Sequence, residues 1–370
     1  MRVLLLPSWY PDDGDPLAGI FIRDQAEVLA SVYDVAVVVP VGVTGRRSTQ
    51  GVDGVLPVFR EPFSGRVPGV SAALNAYRRA AERGAERARA AVGPFDIIHA
   101  HVSLPAGWAA VDLGRRLGIP VVLTEHLSPF DPATGAPKQQ EKIREALTAS
   151  DAVVAVSPHL REQMRRFQPD LKSAIVGNVI RDSFFTPSSE DDPGRSVRFF
   201  SAGILTEQKG FSVLVDATRI LVDEGMRLEV VIAGDGPLRM ELTAAAADLP
   251  VVFFGALSRE RMREELRACS AFVGPSLHES FGVVLGEAMA CGKPVVSTRC
   301  GGPEFVVGSE AGLLVAPGSA GELAEALASV VEGRVAFDPE AIRSSLVTRF
   351  GEEAFLAAIG AVYERARAGA

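Results

Sequence analysis

Short continuous runs of aliphatic and β-branched residues alternate with longer helical stretches along almost the whole chain. In the first half the predicted strands are Val3–Leu6, Val35–Val39, Ile97–His99, Val121–Thr124, Ala152–Val156 and Ala174–Val176. In the second half they are Val197–Ser201, Leu228–Ala233, Val251–Phe254, Ala271–Val273, Pro294–Ser297 and Leu313–Val315. The runs are unbroken rather than alternating, the pattern of strands covered on both faces in a parallel sheet. Helical patterns at Phe21–Ala30, Ala106–Leu117, Phe211–Glu224 and Ala320–Val331 lie between them. Strand and helix in alternation imply right-handed βαβ units. Two such sets imply two doubly wound α/β domains, facing across a cleft that holds the ligand beyond the strands' carboxyl ends.

The length of 370 residues agrees with two domains. The stretch at Pro187–Pro193 has linker composition, so the division is expected at 186/187: a first domain of residues 1–186 and a second of 187–351. A last helix, Glu352–Arg367, follows, and the segment 352–370 is expected to pack back on the first domain. A net charge of −8 argues against bulk binding to nucleic acid. Cys269, Cys291 and Cys300 form neither a disulfide framework nor a zinc site, which fits a reducing compartment. The opening MRVLLLPSWYP is too short for a signal-peptide core, and no run of apolar residues is long enough to span a membrane. A cytoplasmic protein is expected. Peripheral contact with the inner membrane face and the oligomeric state are left open.

The segment Pro275–Pro294, PSLHESFGVVLGEAMACGKP, carries the strongest chemical signal. Phe281 and Gly282 are expected to open a helix running to about Cys291, with Glu279 just before it and Glu287 inside it. Free N–H groups on Phe281, Gly282 and Val283 would form an anion or hydroxyl site, and Gly282 lets a ligand approach the backbone. Two carboxylates beside a helix N-terminus suit a polyhydroxylated, phosphorylated ligand. The alternative is a capping Glu279 and an exposed Glu287, which spacing alone does not exclude.

The segment resembles the E-x7-E motif of retaining family-4 glycosyltransferases, with SFG, GEAMACGKPVV and Gly301-Gly302-Pro303-Glu304 around it. The resemblance runs from SWYP at Ser8 to the last helix. It implies the GT-B fold, a nucleotide-diphosphate sugar donor, a hydroxyl acceptor, and net retention at the anomeric carbon with no cofactor required. It assigns the donor sugar to Glu279 and the nucleotide ribose to Glu287.

In SAGILTEQKGF, a strand ends at Gly203 and a helix begins near Gly210, which puts Lys209 at the rim, where an ammonium can neutralise a diphosphate leaving group. The family often shows Arg then Lys here; this chain has Ile204 at the Arg position and keeps Lys209. In PSWYPDDGDPLAG, Gly19 precedes a helix, and the resemblance turns it to the donor diphosphate. It also lays the backbone near Leu257 against the base. The loop is not G-x-G-x-x-G, which disfavours a dinucleotide oxidoreductase.

His99 and His101 share one face if their strand continues. The resemblance makes His101 the candidate functional histidine, with His99 as the alternate, and His126 is an acceptor-side candidate. No His/carboxylate spacing suggests a metal site. Arg78, Arg79, Arg83, Arg87 and Arg89 crowd one predicted helix with Glu82 and Glu86 among them, which reads as a salt-bridged face before a lipid-binding one. The expected activity is transfer of a hexosyl unit from a UDP- or GDP-sugar to a glycolipid, polysaccharide precursor or small metabolite. A non-catalytic two-lobed nucleotide- or sugar-binding protein and a GT-B-like sugar-nucleotide epimerase are the alternatives.

Overall fold

The computed structural model describes residues 1–12, 14–42, 47–64, 69–188 and 197–369. The chain forms two compact units, one of Met1–Val179 with Phe355–Ala370 and one of Ile180–Ala354. Each is a doubly wound α/β unit built on one sheet.

The first unit contains β1 (Arg2–Pro7), β2 (Asp34–Gly42), β3 (Thr49–Asp53), β4 (Leu56–Phe63), β5 (Ile97–His101), β6 (Val121–Glu125), β7 (Ala152–Ala155) and β8 (Ala174–Ile175). Their order is β3-β4-β2-β1-β5-β6-β7-β8. All neighbours are parallel except β3, which runs antiparallel to β4 at the edge. The continuous apolar character of β1 has the expected cause: Val3, Leu4, Leu5 and Leu6 are fully buried. The arm β3–β4 was not expected from sequence. Its strands read TQGVD and LPVFREPF, and glycine, prolines and charges hide the β pattern.

The second unit contains β9 (Arg198–Ala202), β10 (Glu229–Ala233), β11 (Val251–Gly255), β12 (Ala271–Gly274), β13 (Val295–Thr298) and β14 (Gly312–Val315). All are parallel, in the order β11-β10-β9-β12-β13-β14. This is the strand order of a dinucleotide-type Rossmann sheet.

The division falls at Val179/Ile180 rather than at 186/187. The physical reason lies in residues 180–186. The Ile180 N–H donates to the Phe350 carbonyl, and the Arg343 guanidinium donates to the carbonyls of Asp182 and Phe185. Phe185 is fully buried. Of the expected linker, residues 189–193 lie outside the described residues. The last helix, Glu352–Ala368, places Phe355, Ile359, Val362 and Tyr363 in one cluster with Val3, Leu5, Leu29 and Val37 of the first unit.

Candidate functional site

In an open parallel sheet, ligand groups gather beyond the carboxyl ends of the strands where strand order reverses. In the second unit that point lies between β9 and β12. The loops leaving these strands are locked together. The Leu277 N–H donates to the Gln208 carbonyl at 2.8 Å. Gly210 has φ 64°, and a Cβ there would overlap the Pro275 carbonyl oxygen. Across this junction Lys209 Nζ lies 2.5 Å from Glu279 Oε2. The loop after β13 closes a third side: the Gly302 N–H donates to the Glu279 carbonyl at 2.7 Å, and a Cβ on Gly302 would overlap the backbone at Ser280 and Phe281. Three separate loops thus converge on Lys209 and Glu279.

The helix after Glu279 is Val283–Ala290, shorter than expected. Gly282 is its N-cap, with φ 90°, and Phe281 lies in the preceding turn. The reason is packing: the Phe281 side chain is buried edge-on against Phe305 and Phe350. Glu287 is only 3% exposed, and its Oε1 lies 2.6 Å from Arg259 Nη1. It is therefore not the surface glutamate that spacing alone allowed. The Arg259 guanidinium also stacks 4.8 Å from the Phe185 ring centroid. Sequence reasoning missed Arg259, because a pairing across 28 residues leaves no local motif. Leu257 lies two residues before it, half-buried, in the connection to the helix Arg259–Ala268.

Gly203 donates to the Ala233 carbonyl at 3.0 Å, and a Cβ on it would come within 3.9 Å of the Lys209 stem. The glycine therefore sits directly beside Lys209. Gly234 packs so closely on the Gly203 backbone that no side chain fits. Ile204 is 64% exposed. Cys291 is buried, and burial pushes its thiol up to about 12, which suits a packing role.

In the first unit Gly19 is the N-cap of the helix Ile20–Leu29, with φ 66°. A Cβ there would come within 2.5 Å of the Trp9 carbonyl oxygen, so the loop after β1 is pinned to the helix start. The histidines come together, but not as exposed groups. His101 is fully buried, stacked at 5.2 Å on His126 and 4.3 Å from His99. His101 Nδ1 is 2.9 Å from His126 Nε2. His99 has both ring nitrogens engaged, with the Tyr363 hydroxyl at 2.7 Å and Thr124 Oγ1 at 2.8 Å. Burial pushes His99 and His126 down to about 3 and His101 well below its ordinary value, so all three are neutral near pH 7. His99 is thus a structural residue tying β5 to the last helix. Val102, directly after β5, is a buried valine at φ 75°, a conformation that costs energy for a β-branched residue.

On the helix Val70–Val92, Arg78 pairs with Glu82 and Asp112, and Arg83 and Arg87 pair with the buried Glu61. These cations are engaged by carboxylates, as a salt-bridged face requires. Among the described residues no helix is long and apolar enough to cross a membrane, and no group of three or more His, Cys, Asp or Glu side chains could hold a metal ion.

Two doubly wound sheets in one chain, the second with an acid–cation pair at its switch point, are the architecture of the GT-B fold. The comparisons with known proteins agree. The profile described as Glycosyltransferase Family 4 matches residues 18–184, and that described as Glycosyl transferases group 1 matches residues 196–333. Alpha-maltose-1-phosphate synthase of Mycolicibacterium smegmatis is 30% identical over 346 residues, covering 85% of this chain and 84% of the relative. TuaC of Bacillus subtilis, provisionally a teichuronic acid biosynthesis glycosyltransferase, is 29% identical over 352 residues, 88% of each chain. The solved structure of sucrose-phosphate synthase from Thermosynechococcus elongatus matches with a TM-score of 0.80 at 22% identity, covering 100% of both chains. The chain belongs to the family-4 glycosyltransferases.

Proposed function

We propose that the protein is a retaining hexosyltransferase that takes its sugar from a nucleotide-diphosphate donor bound by the second unit and delivers it to a hydroxyl acceptor recognised by the first. The observation that carries this reading is the Lys209–Glu279 pair at the β9/β12 switch point. Such a pair can divide on binding. The ammonium turns to the diphosphate, and the carboxylate accepts from sugar hydroxyls. Glu287, held by Arg259, takes the ribose hydroxyls.

Departure of the nucleoside diphosphate builds negative charge on its β-phosphate. Within the second unit, Lys209 and the N–H groups at Phe281–Val283 stabilise that charge. Retention is accounted for by attack of the acceptor hydroxyl from the face the phosphate leaves. Its proton passes to the departing phosphate oxygen, and the glycosidic bond forms as the C1–O phosphate bond breaks. The buried neutral His101 is in the wrong environment to gain a proton near pH 7. As a neutral ring it does not act as an acid, but its Nε2, without a partner among the described residues, can still hydrogen-bond a sugar hydroxyl. His101 and His126, both buried and neutral, and the groups around the loop after β1 remain the candidates of the first unit.

Lys209→Ala and Glu279→Ala should each cut transfer at least tenfold, about 1.4 kcal/mol of transition-state stabilisation, with the melting temperature little changed. The assay follows nucleotide release from UDP- and GDP-sugars with and without acceptor. Wild-type turnover in both variants would remove the site assignment. Nucleotide-independent binding of free sugar would favour a two-lobed binding protein instead.

A further inference from the structure

Three buried polar atoms on one side of the first unit have no hydrogen-bond partner among the described residues: Tyr10 Oη, Arg23 Nε and Arg60 Nη1. All three can donate. Tyr10 is only 5% exposed, and the Arg60 guanidinium lies 5.8 Å from its ring centroid. Arg23, Arg60, Asp53 and Glu27 are the charges that act on its hydroxyl. Burial and Asp53 push the phenol well above its ordinary range, so it stays protonated and able to donate.

The two arginines differ. Arg23 Nη2 is paired with Glu27 at 3.1 Å and Asp53 at 2.8 Å. The Arg60 side chain donates to the Pro11 carbonyl at 2.8 Å and meets no carboxylate among the described residues. The cluster therefore holds two positive and two negative side chains, but the Arg60 charge is not contacted by either acid. With Nη2 engaged by the Pro11 carbonyl, the unpartnered Nη1 is left to donate to a carboxylate or phosphoryl oxygen. Burying several donors without partners is costly, and native proteins keep few such groups. Gathering three of them around one uncompensated guanidinium calls for an acceptor-rich, negatively charged ligand group.

Position supports this. Tyr10 follows the carboxyl end of β1, Arg60 sits on β4 opposite Val39 of β2, and Arg23 lies in the first turns of the helix capped by Gly19. This is the ligand-binding edge of a parallel sheet. Beside the cluster, Thr49, Gln50, Val52, Asp53, Val58 and Arg60 line an open depression of about 200 Å³ with both polar and apolar walls.

We infer that Tyr10, Arg23 and Arg60 form an oxyanion subsite that receives a phosphoryl or carboxylate group of the acceptor, so that the acceptor is an anionic carbohydrate or polyol. The word acceptor rests on the transferase reading above; the oxyanion subsite does not.

The test titrates the full chain with inorganic phosphate, and separately with glucuronate, at ionic strength held constant with chloride. Fluorescence of Trp9, adjacent to Tyr10 and 41% exposed, reports occupancy. Saturable binding is expected, at least tenfold weaker in Arg60→Gln and about threefold to tenfold weaker in Tyr10→Phe, with partial recovery in Arg60→Lys. Whichever anion binds more tightly names the group. No saturable response to either anion overturns the subsite. So does phosphate binding that survives Arg60→Gln and disappears in Lys209→Ala, which would locate it in the second unit. If Arg60→Gln fails to fold, Tyr10→Phe decides, and unchanged affinity there overturns the inference. A parallel titration with UDP and GDP separates the two readings: no nucleotide binding alongside Arg60-dependent phosphate binding removes the donor reading and leaves the subsite standing.

Discussion

Lys209 and Glu279 depend on one glycine to meet. Gly210 has φ 64° and lies against the Pro275 carbonyl, so Gly210→Ala adds both left-handed strain and a backbone overlap. The overlap is with main chain and cannot be relieved by a rotamer change. About 2–4 kcal/mol of destabilisation is expected, from strain and overpacking together. The loops after β9 and β12 would part, and transfer should fall more than in Lys209→Ala; a variant with wild-type unfolding midpoint and turnover would show that this contact is unimportant. Ile204 offers the converse test. Its exposure allows a longer side chain without repacking, and the resembled motif has arginine there. Ile204→Arg should tighten UDP or GDP binding by about threefold to tenfold, an effect that shrinks as salt rises. Calorimetric titration at two ionic strengths checks it; equal affinity would mean that position 204 does not face the diphosphate. Glu279, Glu287 and Lys209 could be singled out as candidates because each sits in a contiguous word whose spacing carries meaning. Arg259 and the Tyr10–Arg60 cluster were not, since their significance arises only from groups brought together across many residues.

Elements were legible where one chemical pattern filled them. The twelve predicted runs all fall on strands of the two sheets, mostly because parallel strands buried on both faces are unbroken apolar stretches; the edge strand β11 is apolar too although Val252 and Phe254 are exposed. The arm β3–β4 escaped for the opposite reason: an edge pair with mixed faces looks like a loop. The histidines were read as candidate functional groups at the ends of β5 and β6, and the structure buries them. That burial has a pH consequence. With His99 and His126 held down at about 3 in the fold and near 6.5 when unfolded, the unfolded chain binds more protons between those values. Stability is therefore full above about pH 6.5 and falls as pH drops toward 3. Each of the two histidines should remove about 2 kcal/mol by pH 5, at about 1.4 kcal/mol per pH unit. Denaturant midpoints at pH 7.5, 6 and 5 measure the slope. A flat profile would mean that these rings are protonated in the folded protein.

At the scale of the whole molecule, the chain order of the two units is the informative feature. The second unit is one continuous segment, whereas the first is completed only by the chain's last residues, Phe355–Ala370. Sequence composition anticipated two sets of βαβ units but drew their junction several residues late, at the linker-like stretch 187–193, because nothing local in residues 180–186 shows that Arg343 and the Phe350 carbonyl hold them to the second unit. The last helix gives this arrangement an energetic consequence. It buries Phe355, Ile359, Val362 and Tyr363 in the first unit's core, and the Tyr363 hydroxyl meets His99 inside the sheet. Four large side chains at about 1.5–3 kcal/mol each amount to about 6–12 kcal/mol, an upper bound that matches the whole stability of a typical domain. Removing the chain after Ala354 should therefore unfold the first unit selectively. The second unit has its own core of Phe199, Leu214, Ile232, Val273 and Leu327 and loses no residue of it. Calorimetry should show the first unit's transition abolished and the second's retained, with nucleotide still stabilising the latter. Tyr363→Phe isolates the polar part: it keeps the ring, leaves a His99 nitrogen without its partner, and should cost about 1–3 kcal/mol. A truncated chain that melts like the full one would show that the first unit's core closes without its last helix.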